Sequence, residues 1–377
     1  MKIVPLLLAT AAAAMAPSVK TLSAKDRASL VEELTQWKAK FGGIANAQGL
    51  LPPPSNAGGV DDTINDHLQR LMNNKLAVEA ARQNNPKATF STDNKFALMT
   101  EAEFAAYVKG SFDESTRLLR SSAQSKLPPT GVAAASIDWT TGSCMPPIRD
   151  QGQCGSCWAF SAVGVAEMGH CIATGEFVDL SEQQVTSCCT EGGSRGCMGG
   201  RSAHALNYVA INGLCMNSDW PYTSGQSGDT GWCNNNCTKK KLAIGKPVAV
   251  QGEAALVTAL NVQPATVLVE AGNSVWQNYQ GGIVTQCPGA ANDHAVIAVG
   301  YDGQSYKVRN SWGTNWGEAG YIRLQRNAGG NGMCNVVSEI DFPQLVSTTP
   351  VPSSTKTNQS APTPSTSTSS PNPSRSP

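Results

Sequence analysis

The chain has almost no electrostatic bias. Among its 377 residues, 28 Lys and Arg balance 28 Asp and Glu, and charged residues make up only 15%. Such a balance leaves no basic footprint for nucleic acid. The one basic run, Lys239-Lys240-Lys241, is too short and too poor in aromatic neighbours to be more than a solvated face. Histidine is scarce, with 4 residues in all, so few positions can act as base or metal ligand, and no metal site is expected. Cysteine is missing before Cys144 and after Cys334. Beyond the first 16 residues no stretch is apolar for long enough to span a bilayer, and the end, Ser374-Arg375-Ser376-Pro377, lacks the apolar tail of a lipid-anchor signal.

What is present divides the chain. Met1-Lys2, an apolar run from Ile3 to Ala14 and small residues to Ala16 have the layout of a secretory signal, expected over 1–16. Export to the exterior or to a lysosome- or vacuole-like compartment suits the 12 cysteines, all held between Cys144 and Cys334, which read as one oxidised, folded unit. Residues 347–377 are Ser, Thr and Pro with little that is apolar, a composition expected to form a tail rather than a domain. Asn236-Cys237-Thr238 and Asn358-Gln359-Ser360 are sequons for glycosylation.

The chemistry concentrates in Gln151-Gly152-Gln153-Cys154-Gly155-Ser156-Cys157-Trp158. Ser156 is a good N-cap, and the apolar pattern from Trp158 to Met168 predicts a helix ending near Gly175. Cys157 would then sit at a helix N-terminus, where unpaired N–H groups and the macrodipole favour thiolate over thiol. Far downstream, residues 295–301 read as a strand, Asp302-Gly303 as a tight turn and residues 306–309 as the return strand. That hairpin sets His294 beside Asn310 at its open end, and a turn one or two residues longer would leave them neighbours. Asn310 can accept from one ring nitrogen, and the other is left to face sulfur. The pair Cys154 and Cys157 also reads as a C-x-x-C, but no βαβ pattern or second such pair supports a redox or zinc site.

The order Cys157, His294, Asn310 resembles that of the papain-like cysteine peptidases, in the cathepsin L-like branch. The resemblance is nearly gapless from Ile137-Asp138-Trp139 to about Val346. It implies an α+β papain-like two-domain fold, a mainly helical half and a β-barrel-like half with the active-site cleft between them, over 131–346. It implies Gln151 and the Cys157 N–H as donors to the oxyanion, Trp312 as a cover over the His–Asn contact, and no cofactor. Gly199 and Gly200 would pair with substrate backbone. Arg201, Ser202, Leu268, Asn292, Asp293 and Glu339 would surround the substrate, chiefly the side chain two residues before the scissile bond, and Arg201 and Glu339 would compete for each other. The family's bridges imply Cys154 with Cys197, Cys188 with Cys233 and Cys287 with Cys334. For the rest, Cys189 with Cys237 and Cys171 with Cys215 are expected, leaving Cys144 over.

Residues 17–130 resemble the family's inhibitory propeptide, with helical patterning at Leu30 to Phe41 and Asp66 to Asn84. Asp66, Arg70 and Asn85 match its motif; Asn74 and Ala77 depart from it, and Leu98 replaces an aspartate tied to acid-triggered release. Cleavage is expected between Leu127 and Ser136. The expected function is that of a cysteine endopeptidase made as a zymogen, monomeric, acting on polypeptides and held by its own propeptide. The alternatives are a catalytically silent protein of the same fold, serving in binding, and a disulfide-exchange protein using Cys154 and Cys157.

Overall fold

A computed structural model describes residues 18–52, 60–109, 133–234 and 236–346. The expected leader, the tail with Asn358, and residues 127–132 of the expected cleavage region lie outside them.

The first unit is built from α1 (Ala24–Ala47), α2 (Val60–Asn84), β1 (Ala88–Phe90) and α3 (Glu101–Lys109). Ser23 starts α1 by accepting the Asp26 N–H at 3.1 Å. Leu30, Leu34, Trp37 and Phe41 form its buried stripe, with the helical spacing expected of that segment. The Trp37 indole donates to the Asn94 carbonyl at 2.7 Å and so pins the chain beyond β1. Positions of the propeptide motif, the matching Asn85 and the departures Asn74 and Leu98, make contacts of their own. Asn74 donates to the Ala97 carbonyl at 3.1 Å and accepts from Asn278 at 2.7 Å. Asn85 accepts from the N–H groups of Thr285 and Gln286, each at 2.8 Å. Leu98 is buried, so the position of the missing carboxylate has become part of the core.

The helical half follows: β2 (Ile137–Asp138), α4 (Cys157–Thr174), α5 (Glu182–Cys188), α6 (Ser202–Asn212) and α7 (Ser224–Ser227). Helix α4 is buried on all sides from Cys157 to Cys171, as its lack of charged residues other than Glu167 dictates. Gly175, at φ 78°, ends it as predicted. Ser156 holds the N-cap position, but its hydroxyl makes no cap bond and pairs with the Tyr222 hydroxyl at 2.7 Å. Burial beside a phenol, rather than exposure at a helix start, decides where that hydroxyl turns.

The β half comprises β3 (Ile244–Val250), α8 (Glu253–Leu260), β4 (Ala265–Val269), α9 (Ser274–Asn278), β5 (Tyr279–Val284), β6 (His294–Tyr301), β7 (Ser305–Arg309), β8 (Tyr321–Gln325) and β9 (Ile340–Leu345). The sheet runs β1-β5-β8-β7-β6-β4-β9-β3, with β2 also on β6. Strands β4 and β6 are buried along their whole length. The first unit therefore contributes an edge strand, Ala88 facing Gly282, to the β half. Gly164 lets α4 lie directly on β6, since a Cβ there would stand 2.7 Å from the Ile297 Cδ1.

Five disulfides are formed. Three are those implied by the family resemblance: Cys154–Cys197, Cys188–Cys233 and Cys287–Cys334. The other expected pairings are corrected. Cys171 joins Cys144, Cys215 joins Cys237, and Cys189 rather than Cys144 stays outside any bridge. The physical reason is placement: Cys171, near the end of α4, lies 5.4 Å from Cys144 between Cα atoms, and Cys215 lies 5.7 Å from Cys237. Cys189 is buried, and burial pushes its thiol up to about 12. Unfolding the oxidised chain without reductant should expose two alkylatable thiols, Cys157 and Cys189, by mass spectrometry, with Cys189 inert in the native state. Finding label on Cys144 instead would refute this pairing.

Candidate active site

The site forms where the start of α4 meets the starts of β6 and of the loop after β7. Cys157 is the first residue of α4, and its Sγ accepts the N–H of Ala295, the second residue of β6, at 3.4 Å. Both Cys157 and His294 have no exposed surface. Cys157, Leu268 and Ala295 form a small apolar cluster of their own.

His294 opens β6, and its Nε2 lies 2.8 Å from Asn310 Oδ1. The hairpin that sets them together is longer at its turn than two residues: Tyr301 faces Tyr306, and a bulge between Ala298 and Gly300 shifts the register so that Ile297 faces Arg309. The neighbourhood of His294 and Asn310 survives, as the sequence reading required. Asn310 Oδ1 also accepts the Ser311 N–H at 2.8 Å, which holds the amide with its oxygen toward the ring. The Trp312 indole stacks on the imidazole, centroids 4.8 Å apart and planes at 25°, while Trp276 meets it edge-on. Burial lowers the His294 pKa from 6.5 to about 4, and the Asn310 bond opposes this only in part.

Gln151 is buried and gripped from both halves. Its Nε2 donates to the Cys154 carbonyl at 3.0 Å, its Oε1 accepts from the Ser311 hydroxyl at 2.6 Å, and its carbonyl accepts from the Tyr222 hydroxyl at 2.9 Å. Ser311, Tyr222 and Trp276 were missed in the sequence reading. Ser311 alone carried a signal, adjacency to Asn310; Tyr222 and Trp276 arrive from loops whose course no periodicity reveals.

The residues expected around the substrate come from both halves. Gly200 packs against Trp158, where a Cβ would lie 2.5 Å from the indole. Arg201 and Glu339, both buried, are joined through Nη1 and Oε2 at 3.3 Å. Leu268 N–H donates to the Glu339 carbonyl at 3.1 Å, and Asn292 donates to the Ser338 hydroxyl at 2.9 Å. The Asp293 carboxylate accepts the N–H groups of Ala271 and Gly272 at 2.7 and 3.0 Å, an anchor for the loop before His294. Within the helical half, Arg149 pairs with Glu182 at 3.1 Å, and both line a cavity that Ala295, Ile297 and Arg309 of the β half close from the other side. Burial pushes the Glu182 carboxyl up to about 7 and raises that of Glu167 beside it.

The first unit closes over Trp312. Phe96, Phe104 and Tyr107 pack on its ring with centroids 5.4, 5.6 and 6.4 Å away. The Tyr107 hydroxyl donates to the Gly152 carbonyl at 2.8 Å. Cys154 is bridged to Cys197, which removes the C-x-x-C needed for disulfide exchange. Among the described residues no group of His, Cys, Asp and Glu is arranged to hold a metal ion, and no helix is long and apolar enough to cross a membrane.

The family model described as "Papain family cysteine protease" matches residues 133–344. The chain is 33% identical over 339 residues to germination-specific cysteine protease 1 of Arabidopsis thaliana, covering 85% of this chain and 86% of that one. It is 37% identical over 275 residues to digestive cysteine proteinase 3 of Homarus americanus, covering 69% and 82%. Among solved structures, the proform of the ragweed pollen allergen Amb a 11 cysteine protease superposes with a TM-score of 0.72 at 28% identity, over 84% of this chain and 93% of that one. Recombinant stem bromelain precursor gives 0.67 at 28% identity, over 84% and 99%.

The depressed His294 pKa has a sign that can be tested. The covered imidazole takes up its proton near pH 4, an exposed one near 6.5. Between those values the covered state binds fewer protons, so its advantage over an uncovered state is full above about pH 6.5 and is lost as pH falls toward 4. In the full-length chain carrying Cys157→Ser, imidazole NMR should show His294 neutral at pH 5.5. A ring that is already charged at that pH would contradict the covered geometry.

Proposed function

The chain belongs to the papain family of cysteine proteases, and we propose which of its residues carry out that family's reaction here. It is a cysteine endopeptidase made as a zymogen, with its N-terminal unit as an intramolecular inhibitor. In our reading, the Cys157 thiolate attacks the substrate carbonyl carbon, forming a thioester and releasing the amine after His294 gives it a proton. Water activated by His294 then hydrolyses the thioester and regenerates the thiol. The backbone N–H of Cys157 and the Gln151 amide stabilise the oxyanion, and Asn310 orients the imidazole. Trp312 keeps water from the His294–Asn310 bond, which strengthens it.

The observation that supports this best is the seating of Cys157 Sγ on the Ala295 N–H at 3.4 Å, with the next residue back, His294, held by Asn310 at 2.8 Å. Thiol, ring and amide converge from three separate stretches of chain. A silent binding protein of the same fold would have no physical reason to keep that set.

Burial holds the His294 imidazole neutral in this state. We place the inhibitory segment at 17–130 and the peptidase at 131–346, acting as a monomer on polypeptides, without nucleic acid, in a secreted or vacuolar setting.

Around the side chain two residues before the scissile bond we place Arg201, Ser202, Leu268, Asn292 and Glu339, with Gly199 and Gly200 pairing with substrate backbone. The Arg201–Glu339 pair gives this pocket an internal counterion. A substrate arginine entering there must displace Arg201 from Glu339, which offsets what it gains. Arg201→Ala should therefore raise kcat/KM for peptides with Arg at that position about fivefold, roughly 1 kcal/mol, while peptides with Leu there change little. Equal rates for the two enzymes on the Arg peptides would count against the pairing as a specificity device. The reaction itself is tested by labelling the processed enzyme with an epoxide that alkylates active thiolates. The adduct should map to Cys157 and fail to form in His294→Ala; an adduct elsewhere would end the proposal.

A further inference from the structure

Asp150, one residue before Gln151, holds a cation that comes from the chain itself. Lys95 of the N-terminal unit is 2% exposed, and its Nζ lies 2.7 Å from Asp150 Oδ2. Gln48 completes the seat: its Oε1 accepts from the same ammonium at 2.8 Å and its Nε2 donates to Asp150 Oδ2 at 3.0 Å. Every partner of Oδ2 among the described residues therefore belongs to the N-terminal unit. The other oxygen does not depend on it. Oδ1 accepts the Gly152 N–H at 3.0 Å, which fixes the carboxylate rotamer from within the peptidase.

The backbone around the carboxylate is equally independent of the inhibitor. Asp150 bridges to Trp312, and the Gln151 N–H donates to the Ser311 carbonyl at 2.9 Å. Gly313 leaves the notch open, because a Cβ there would stand 2.9 Å from Oδ2. When the N-terminal unit departs, what remains is a rigid, singly charged carboxylate with an unoccupied lone-pair face. It lies on the Trp312 side of the cleft. The Gly199–Gly200 loop is held apart from it, tied to Cys154 through Cys197 and packed on Trp158.

We propose that Asp150 is a recognition site for a basic substrate side chain after the scissile bond, and that in the zymogen Lys95 occupies the place such a side chain takes in the mature enzyme. The proposal rests on the peptidase reading above. Since the Gly199–Gly200 loop serves the acyl side, the Trp312 side receives the leaving-group side. A lysine or arginine there can reach a carboxylate already oriented for it, so little ordering of the enzyme opposes binding. The Lys95 contact is an internal demonstration that an ammonium fits. It also makes the inhibitor and the substrate compete for the same charge.

The test uses the processed enzyme and internally quenched peptides that share one acyl side and carry Lys, norleucine or Glu at the first, second or third position after the scissile bond. At one of these positions Lys should exceed norleucine in kcat/KM by about three- to tenfold, the range of a half-exposed ion pair, and Glu should be poorest. The Lys to norleucine ratio should fall to about 1 in Asp150→Asn, and Asp150→Lys should favour Glu. Using ratios removes any general effect of the substitution on turnover. Equal rates for Lys and norleucine at all three positions in the parent, or a ratio that Asp150→Asn leaves intact, would overturn the proposal. If the variants do not fold, the parent profile decides alone. Failure of the parent to cleave any peptide, with no epoxide adduct, would remove the peptidase reading instead and the subsite with it.

Discussion

One contact governs the molecule: a sulfur at the first turn of a buried helix set against the first residues of a buried strand. Neither element makes it alone. Helix α4 is packed from Cys157 to Cys171 without an exposed face, and β6 is buried from His294 to Tyr301. Gly164 against Ile297 brings the two so close that neither can slide. The Ala295 N–H then meets the sulfur because the packing behind it leaves no other arrangement. Gln151 and Ser311 repeat the principle at the rim, where a residue of the helical half is held by a residue following β7.

Desolvation works in two directions here. It suppresses charge on His294, and it strengthens the His294–Asn310 bond under Trp312. The N-terminal unit achieves its cover with an aromatic cluster on Trp312 and with a strand added to β5. It binds by continuing the sheet and the core of the peptidase, so it resembles a part of the fold more than a peptide in a groove. Its departures from the family motif are consistent with this. Asn74 reaches Asn278 of the peptidase, and Leu98 joins the core.

The site was legible because its parts are carried by short-range patterns. Cys157 lies where a capping residue meets an apolar helix, and His294 meets Asn310 because both flank one hairpin, a relation that tolerated an error in the turn. The Arg201–Glu339 pair followed from the family's positions. What escaped was decided by tertiary neighbours. Ser156 turned to Tyr222 instead of capping its helix. The pairing of Cys144, Cys171, Cys215 and Cys237 depended on which chain ends lie side by side, which no spacing rule encodes. Lys95 and Asp150 are unremarkable as letters, and only the fold shows one buried against the other.

The bridges carry a consequence for how the enzyme opens. Four of them tie residues 144 to 237 together, and the fifth joins Cys287 to Cys334. None runs from one wall of the groove to the other. Covalent reinforcement thus hardens each wall separately, while the gap between them is set by side-chain packing and by contacts such as that of Gln151 with Ser311. Reduction of the bridges would loosen each wall from within and leave the packing between the walls to hold on its own.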